Sequence, residues 1–323
     1  MQLDILPMSD PSYNCFHIAV ATLAVHNKSE YQMIAAGSLG INYGEGIRIG
    51  EKISIRSRYL IDIDSINKFH GIAVEFKRFR KESAASEIIS YLESATPLIM
   101  FSDLYWCPWT LAYQKYNFIH MFIIIGFDEA HQQFICIDPY FTTEVIKVEY
   151  DKISPGIRNY GIVKFERAAP LLSDYYKTLN DDLNDFLYNE SNNTIQNILK
   201  FADDIENCSD FKKEFEGYGE ALYAVPLFEK VRSIYICRCS YSRLLKYIGN
   251  KLDNDELILL SDDMLKCANS WRKIRDRLIK LSMRSEYTAG LISIAKTIRE
   301  IAEMEKENAI EIVNLINVAQ GGK

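Results

Sequence analysis

Histidine is scarce in this chain: five occur among 323 residues, at positions 17, 26, 70, 120 and 131, and none lies beyond. Chemistry that needs an imidazole base is therefore confined to the first part of the sequence. Proline is nearly as uneven. Seven of the eight prolines lie at or before position 170, and only Pro226 follows; since proline breaks helices, the back half is free to form long ones. Long apolar runs are missing. The strongest near a motif, residues 121–126, is far too short to span a bilayer. The opening residues, Met1 to Pro7, carry neither a basic stretch nor the apolar core of an export signal. A cytoplasmic protein without membrane contact is the expectation.

Positive charge is also in deficit. The 37 Lys and Arg residues stand against 44 Asp and Glu, for a net charge of −7, and this argues against sequence-independent nucleic-acid binding. The seven cysteines (15, 107, 136, 208, 237, 239 and 267) form no even framework at disulfide-like density. Cys237 and Cys239 lie close together, but no second pair or nearby histidine completes a zinc set. Reduced thiols, no metal and no bound cofactor are expected.

What is present suffices for buried cores: 48% of residues are hydrophobic and 12% aromatic. The length favours two domains, and the texture changes near residue 170. We expect an α+β domain over 1–170 and an all-helical bundle of four or five helices over 171–323. In the front half, residues 15–26 read as a helix, with Ser9, Asp10, Ser12 and Asn14 offering N-cap chemistry upstream. A second short helix is expected over 30–36, a glycine-dense loop or strand edge over 38–46, and a helix over 84–94. Strands are expected at 98–101, 121–127, 133–137, 143–148 and 160–165, with residues 128–132 as a hairpin turn. The last helix is predicted over 288–318, its apolar stripe interrupted at Glu305.

Three residues form a chemical constellation. Cys15 sits where a polar loop turns into a helix, where the helix dipole and free N–H groups favour a thiolate. His120 opens one predicted strand, and Asp138 closes its hairpin neighbour just before Pro139. If the hairpin forms, the carboxylate holds the imidazole and the imidazole serves Cys15 as base. Taken singly, each residue has a plain structural reading: a packed thiol, a strand histidine, an Asp-Pro turn. Their joint order is what points to a Cys-His-Asp triad.

The order of these motifs resembles the papain-like superfamily, particularly the double-glycine leader peptidases. It is most similar to the N-terminal domain of the butirosin biosynthesis acyltransferase family. The resembling residues are Asn14, Cys15, Phe16 and His17, the segment 34–43, and the block 97–140. That block holds Asp103, Tyr105, Tyr113, His120, Gly126, Asp128, Asp138 and Pro139. The resemblance implies a papain-like cysteine protease fold, with the Cys helix packed on an antiparallel sheet. It further implies amide formation: an acyl group moves from a carrier-protein thioester, through Cys15, to an amine, as in nonribosomal peptide-type antibiotic pathways. The donor would then sit on the phosphopantetheine of an acyl or peptidyl carrier protein. The acceptor would be a small amine.

One departure concerns the oxyanion. Papain-like proteases place a Gln about six residues before the nucleophile, whereas Ser9 stands there in this chain. The Cys15 backbone N–H plus Asn14 or Ser12 is the expected substitute. Asp103 and Tyr105 either line the substrate entrance or cap the strand before them. His17, His26, His70 and His131 are read as structural or exposed, with His70 lacking a local partner, and Cys107 as packing. The charged run 77–81 is read as a solvated face, with docking of an acidic carrier protein as its functional alternative. The helical half has no second nucleophile–base set, so its expected jobs are shaping an acyl tunnel, docking partners, or assembling a homodimer. Two other functions stay open: a cysteine hydrolase (peptidase or thioesterase) using the same triad, and a non-catalytic binding module.

Overall fold

The computed structural model describes residues 1–55, 63–190, 192–219 and 221–321. In chain order its first elements are α1 (Cys15–His26), β1 (Ile41–Tyr43), α2 (Ile49–Lys52), β2 (Ile53–Ile55), α3 (Ile63–His70), β3 (Ile72–Arg78) and α4 (Lys81–Glu93). There follow β4 (Leu98–Asp103), β5 (Ile119–Asp128), β6 (Gln133–Ile137), β7 (Val145–Glu149), α5 (Tyr150–Ile153) and β8 (Asn159–Phe165). The remainder is helical: α6 (Leu172–Tyr188), α7 (Thr194–Glu206), α8 (Pro226–Leu252), α9 (Asp255–Ser282) and α10 (Thr288–Gly321).

The chain divides into two compact units. One comprises Met1–Ile34 with Ile63–Ala169, the other Ala35–Asp62 with Pro170–Lys323. The first is α+β. Its sheet runs β3-β8-β4-β5-β6-β7, and every neighbouring pair is antiparallel. β5 lies inside the sheet between β4 and β6, and Met121 to Phe127 are all buried along it. A strand enclosed in this way needs apolar residues at successive positions, which is why the run reads as continuous rather than alternating. Helix α1 is apolar all round for the same reason, and Phe16 to Ala24 are buried. A core of Leu98, Met100, Phe122, Ile124, Phe134 and Cys136 joins three strands to Ile88 and Leu92 of α4.

The second unit holds the five long helices together with β1, α2 and β2. Ile41, Ile49 and Ile53 share a core with Phe201, Phe228, Trp271 and Ile298. This departs from the single cut expected at residue 170: a glycine-dense stretch of the front half packs with the back half. Two local devices hold it there. The buried Glu214 carboxylate accepts from the N–H groups of Ile49 (2.6 Å) and Gly50 (3.0 Å). At Gly50 any side chain would collide with backbone, since a Cβ there would lie 2.2 Å from Leu227 N.

Other boundaries also moved. The expected helix at 30–36 is a single 3-10 turn, Gln32–Ala35. The charged run at 77–81 straddles the end of β3, an edge strand that the sequence pattern did not reveal, and Phe79 within it is buried. Edge strands carry charge to discourage pairing with other chains, and that charge hides their alternation. The interruption at Glu305 does not mark a solvent face. Glu305 is fully buried and ion-paired with Arg238 of α8, through Nε at 2.9 Å and Nη2 at 2.8 Å. Trp271 Nε1 of α9 donates to the same carboxylate at 2.8 Å. Among the described residues no helix is long and apolar enough to cross a membrane.

Candidate active site

The hairpin formed by β5 and β6 sets the site. Ile123 pairs with Ile137, and Asp128 with Gln133 across the turn. His120 and Asp138 therefore emerge at the hairpin's open end, and His131 at its exposed tip, where it bonds Asp128 at 2.9 Å. His120 Nε2 meets Asp138 Oδ2 at 2.7 Å, with both side chains almost wholly buried. The same carboxylate oxygen accepts from Trp109 Nε1 at 2.7 Å, and Oδ1 accepts from Tyr140 N at 3.3 Å. Asp138 is thus fixed from three directions. A buried carboxylate survives only when paired and hydrogen-bonded in this way.

The other ring nitrogen of His120, Nδ1, is not used by Asp138, and the Cys15 sulfur lies close enough to favour the charged imidazole. Burial opposes charge on His120. The Asp138 carboxylate, as charge and as acceptor, and the Cys15 sulfur outweigh it, raising the imidazole to about 9. Cys15 is the first residue of α1, partly exposed, with its Sγ 3.8 Å from Met121 Sδ. Tyr140 and Phe141 pack beside the imidazole, with ring centroids 5.8 and 5.1 Å away. His120 and Asp138 are thus joined at the hairpin's open end, and Cys15, at the start of α1, is close enough to influence the imidazole.

The remaining expected residues each make local hydrogen bonds or ring contacts. Asn14 is the N-cap of α1, its Oδ1 accepting from His17 N at 2.7 Å. Ser12 is buried, and its N–H donates to Asp10 Oδ1 at 3.0 Å. Asp103 spends its carboxylate locally: Oδ1 takes the N–H groups of Tyr105 (3.0 Å) and Phe118 (3.1 Å), and Oδ2 faces Arg158 at 3.9 Å. That settles Asp103 as a cap for the turn after β4. Tyr105 lies in that turn with its ring against Trp106.

His17 is buried within α1 and His26 is exposed. His70 has a partner distant in sequence, its Nε2 accepting from Met33 N at 3.0 Å. Cys107 donates to Asp103 O at 3.7 Å, and burial pushes its thiol well up. Lys77 is held by Tyr91 Oη at 2.7 Å and lies near Glu75, while Arg78, Arg80 and Lys81 are exposed. Sequence reasoning missed Trp109. Its only signal was an aromatic residue close to Cys107 and Pro108, which does not announce a donor to a carboxylate 29 residues away. Among the described residues no three His, Cys, Asp or Glu side chains converge as a metal site requires.

Residues 25–165 match the sequence model of the Peptidase_C39 like family. This stretch of the chain is similar to that family. The match takes in His120 and Asp138 and begins ten residues beyond Cys15. With the antiparallel sheet and the helical C-terminal region, it makes the fold papain-like α+β followed by helices. It also points to cysteine-dependent, protease-like chemistry. The relationship found is to this broader family and not to the narrower butirosin acyltransferase family. No curated protein matches the chain.

Proposed function

We propose that the protein is an amide-forming cysteine acyltransferase. It takes an acyl group from a carrier-protein thioester onto Cys15 and passes it to a small amine. The observation that carries this reading is the buried His120–Asp138 pair at 2.7 Å, with the Cys15 sulfur close enough to favour the charged imidazole. The proton leaves Cys15 Sγ for His120, and the sulfur attacks the thioester carbonyl. The tetrahedral intermediate then collapses with cleavage of the carbon–sulfur bond to the carrier. The departing thiolate takes the proton from His120. The amine next attacks the acyl-enzyme and gives its proton to His120, and Cys15 leaves as the thiolate. Asp138 holds the imidazole and stabilises its charged form throughout.

Thioester-to-thioester transfer is nearly neutral in energy, and amide formation then runs downhill, so neither step needs a nucleotide or a metal. The secondary-metabolite setting, the carrier-protein donor and the assignment of partner docking to the helical unit all belong to this proposal. The match to a peptidase-like family favours a second reading, in which water resolves the same acyl-enzyme and the protein is a peptidase or thioesterase. One experiment tests both. The full chain is incubated with an acylated carrier protein, with and without amine, and followed by intact-mass spectrometry. Acyl mass on Cys15 with amide as product supports transfer. Free acid at the same rate whether or not amine is present supports hydrolysis. No mass on Cys15 overturns both.

A further inference from the structure

The unusual polar atom at the site is the side-chain nitrogen of Asn14. Its amide is oriented unambiguously: Oδ1 accepts from the backbone N–H of His17 at 2.7 Å, which a side-chain nitrogen could not do. Nδ2 must then point the other way. It is buried and meets no acceptor among the described residues. An unsatisfied buried donor costs about 1–3 kcal/mol, so it calls for a reason. The cap places this amide over the open first turn of α1, whose first residue is Cys15. The N–H of Cys15 itself is one of the helix's free donors.

We propose that Asn14 is a catalytic residue: its Nδ2, with the backbone N–H of Cys15, receives the oxyanion formed when Cys15 attacks an acyl carbonyl. This rests on the acyl-enzyme chemistry proposed above. One side chain then does two jobs, with the oxygen starting the helix that presents the nucleophile and the nitrogen held ready for charge that exists only in the transition state. Preorganised donors of this kind act without reorganising at the moment of reaction. The arrangement also accounts for the Ser at position 9, six residues before Cys15, since a donor adjacent to the nucleophile removes the need for one there.

The test compares two reactions of Cys15 in the full chain. Phenyl thioacetate acylates the thiol: the sulfur–acyl bond forms, the carbon–sulfur bond to the phenyl thiolate breaks, and the Cys15 proton leaves with thiophenol. This passes through an oxyanion. Iodoacetamide alkylates the same sulfur with loss of iodide and passes through none. Asn14→Ser and Asn14→Asp both keep an N-cap acceptor and remove Nδ2. Acylation is expected to fall roughly 10²–10³-fold in Asn14→Ser, with alkylation near the wild-type rate. Asn14→Asp should lose acylation at least as severely. Acylation at the wild-type rate in both variants overturns the proposal, as does a parallel loss of acylation and alkylation in Asn14→Ser, which would mark a merely structural role. Wild-type protein that is alkylated but never acylated at Cys15 instead removes the acyl-enzyme reading, and this inference with it.

Discussion

Each unit of this protein buries one carboxylate beneath a tryptophan, and the two sites behave oppositely. In the first, Asp138 receives Trp109 Nε1 and His120 Nε2, both at 2.7 Å. In the second, Glu305 receives Trp271 Nε1 at 2.8 Å and two donors of Arg238 at 2.9 and 2.8 Å. The tryptophan is common; the cation differs. Arg238 does not lose its proton, and a further guanidinium donor goes to Leu39 O at 3.0 Å, so the cluster ties α8 to a neighbouring loop. His120 titrates, and the partly exposed Cys15 acts on its imidazole. The same buried motif is a fastener where the cation is arginine and a reactive centre where it is histidine.

Substitutions can break that comparison on either side. The largest expected effect is at the nucleophile: Cys15→Ala should form no covalent acyl adduct by intact-mass analysis. His120→Ala should slow acylation by about 10²–10⁴-fold, and an adduct at full rate in either variant would end the covalent mechanism. Next comes the fastener. Glu305→Ala strands the Arg238 charge and should cost about 3–5 kcal/mol in chemical denaturation. Replacing Arg238, Glu305 and Trp271 together by Met, Leu and Phe should recover much of that loss, because no buried charge is then stranded and only the Leu39 carbonyl loses its donor. A near-neutral Glu305→Ala would show that the cluster fastens nothing.

The smallest effect separates the two cations by pH. His120 is raised from 6.5 to about 9, so its contribution to stability is complete below 6.5 and is lost as pH rises through about 9. The Arg238 pair does not titrate in that window. Wild-type protein should therefore melt at a lower temperature at pH 10 than at pH 6. Asp138→Asn, which removes the charge that holds the proton, should shrink the difference. An equal pH dependence in both proteins would remove His120 as its source.

The legible part of this site was its hairpin. Residues 121–127 and 133–137 are two apolar runs around a polar turn, and pairing them is enough to bring His120 beside Asp138. The cap was equally local, since a polar residue immediately before an apolar helix is a strong start signal. What escaped was non-local or disguised. Trp109 reaches Asp138 across a loop, β3 hides its period beneath Lys77 and Arg78, and Glu305 breaks an apolar stripe because its partner lies on another helix. The packing of β1, α2 and β2 with the helical unit involves Glu214, which in sequence is an ordinary acidic residue.

That packing has a consequence for synthesis. Ile41 N donates to Thr194 Oγ1 across 153 residues of chain, so residues near Ile41 leave the ribosome long before their partners exist. Until then Ile41, Ile49 and Ile53 are apolar surface without a core. If the first unit folds before then, these residues wait without the core they join in the folded protein. A nascent chain in that state is open to misassociation for the time it takes to translate the helices. Slowing translation beyond residue 170 should therefore lower the yield of soluble protein, whereas slowing it within α10 should matter less.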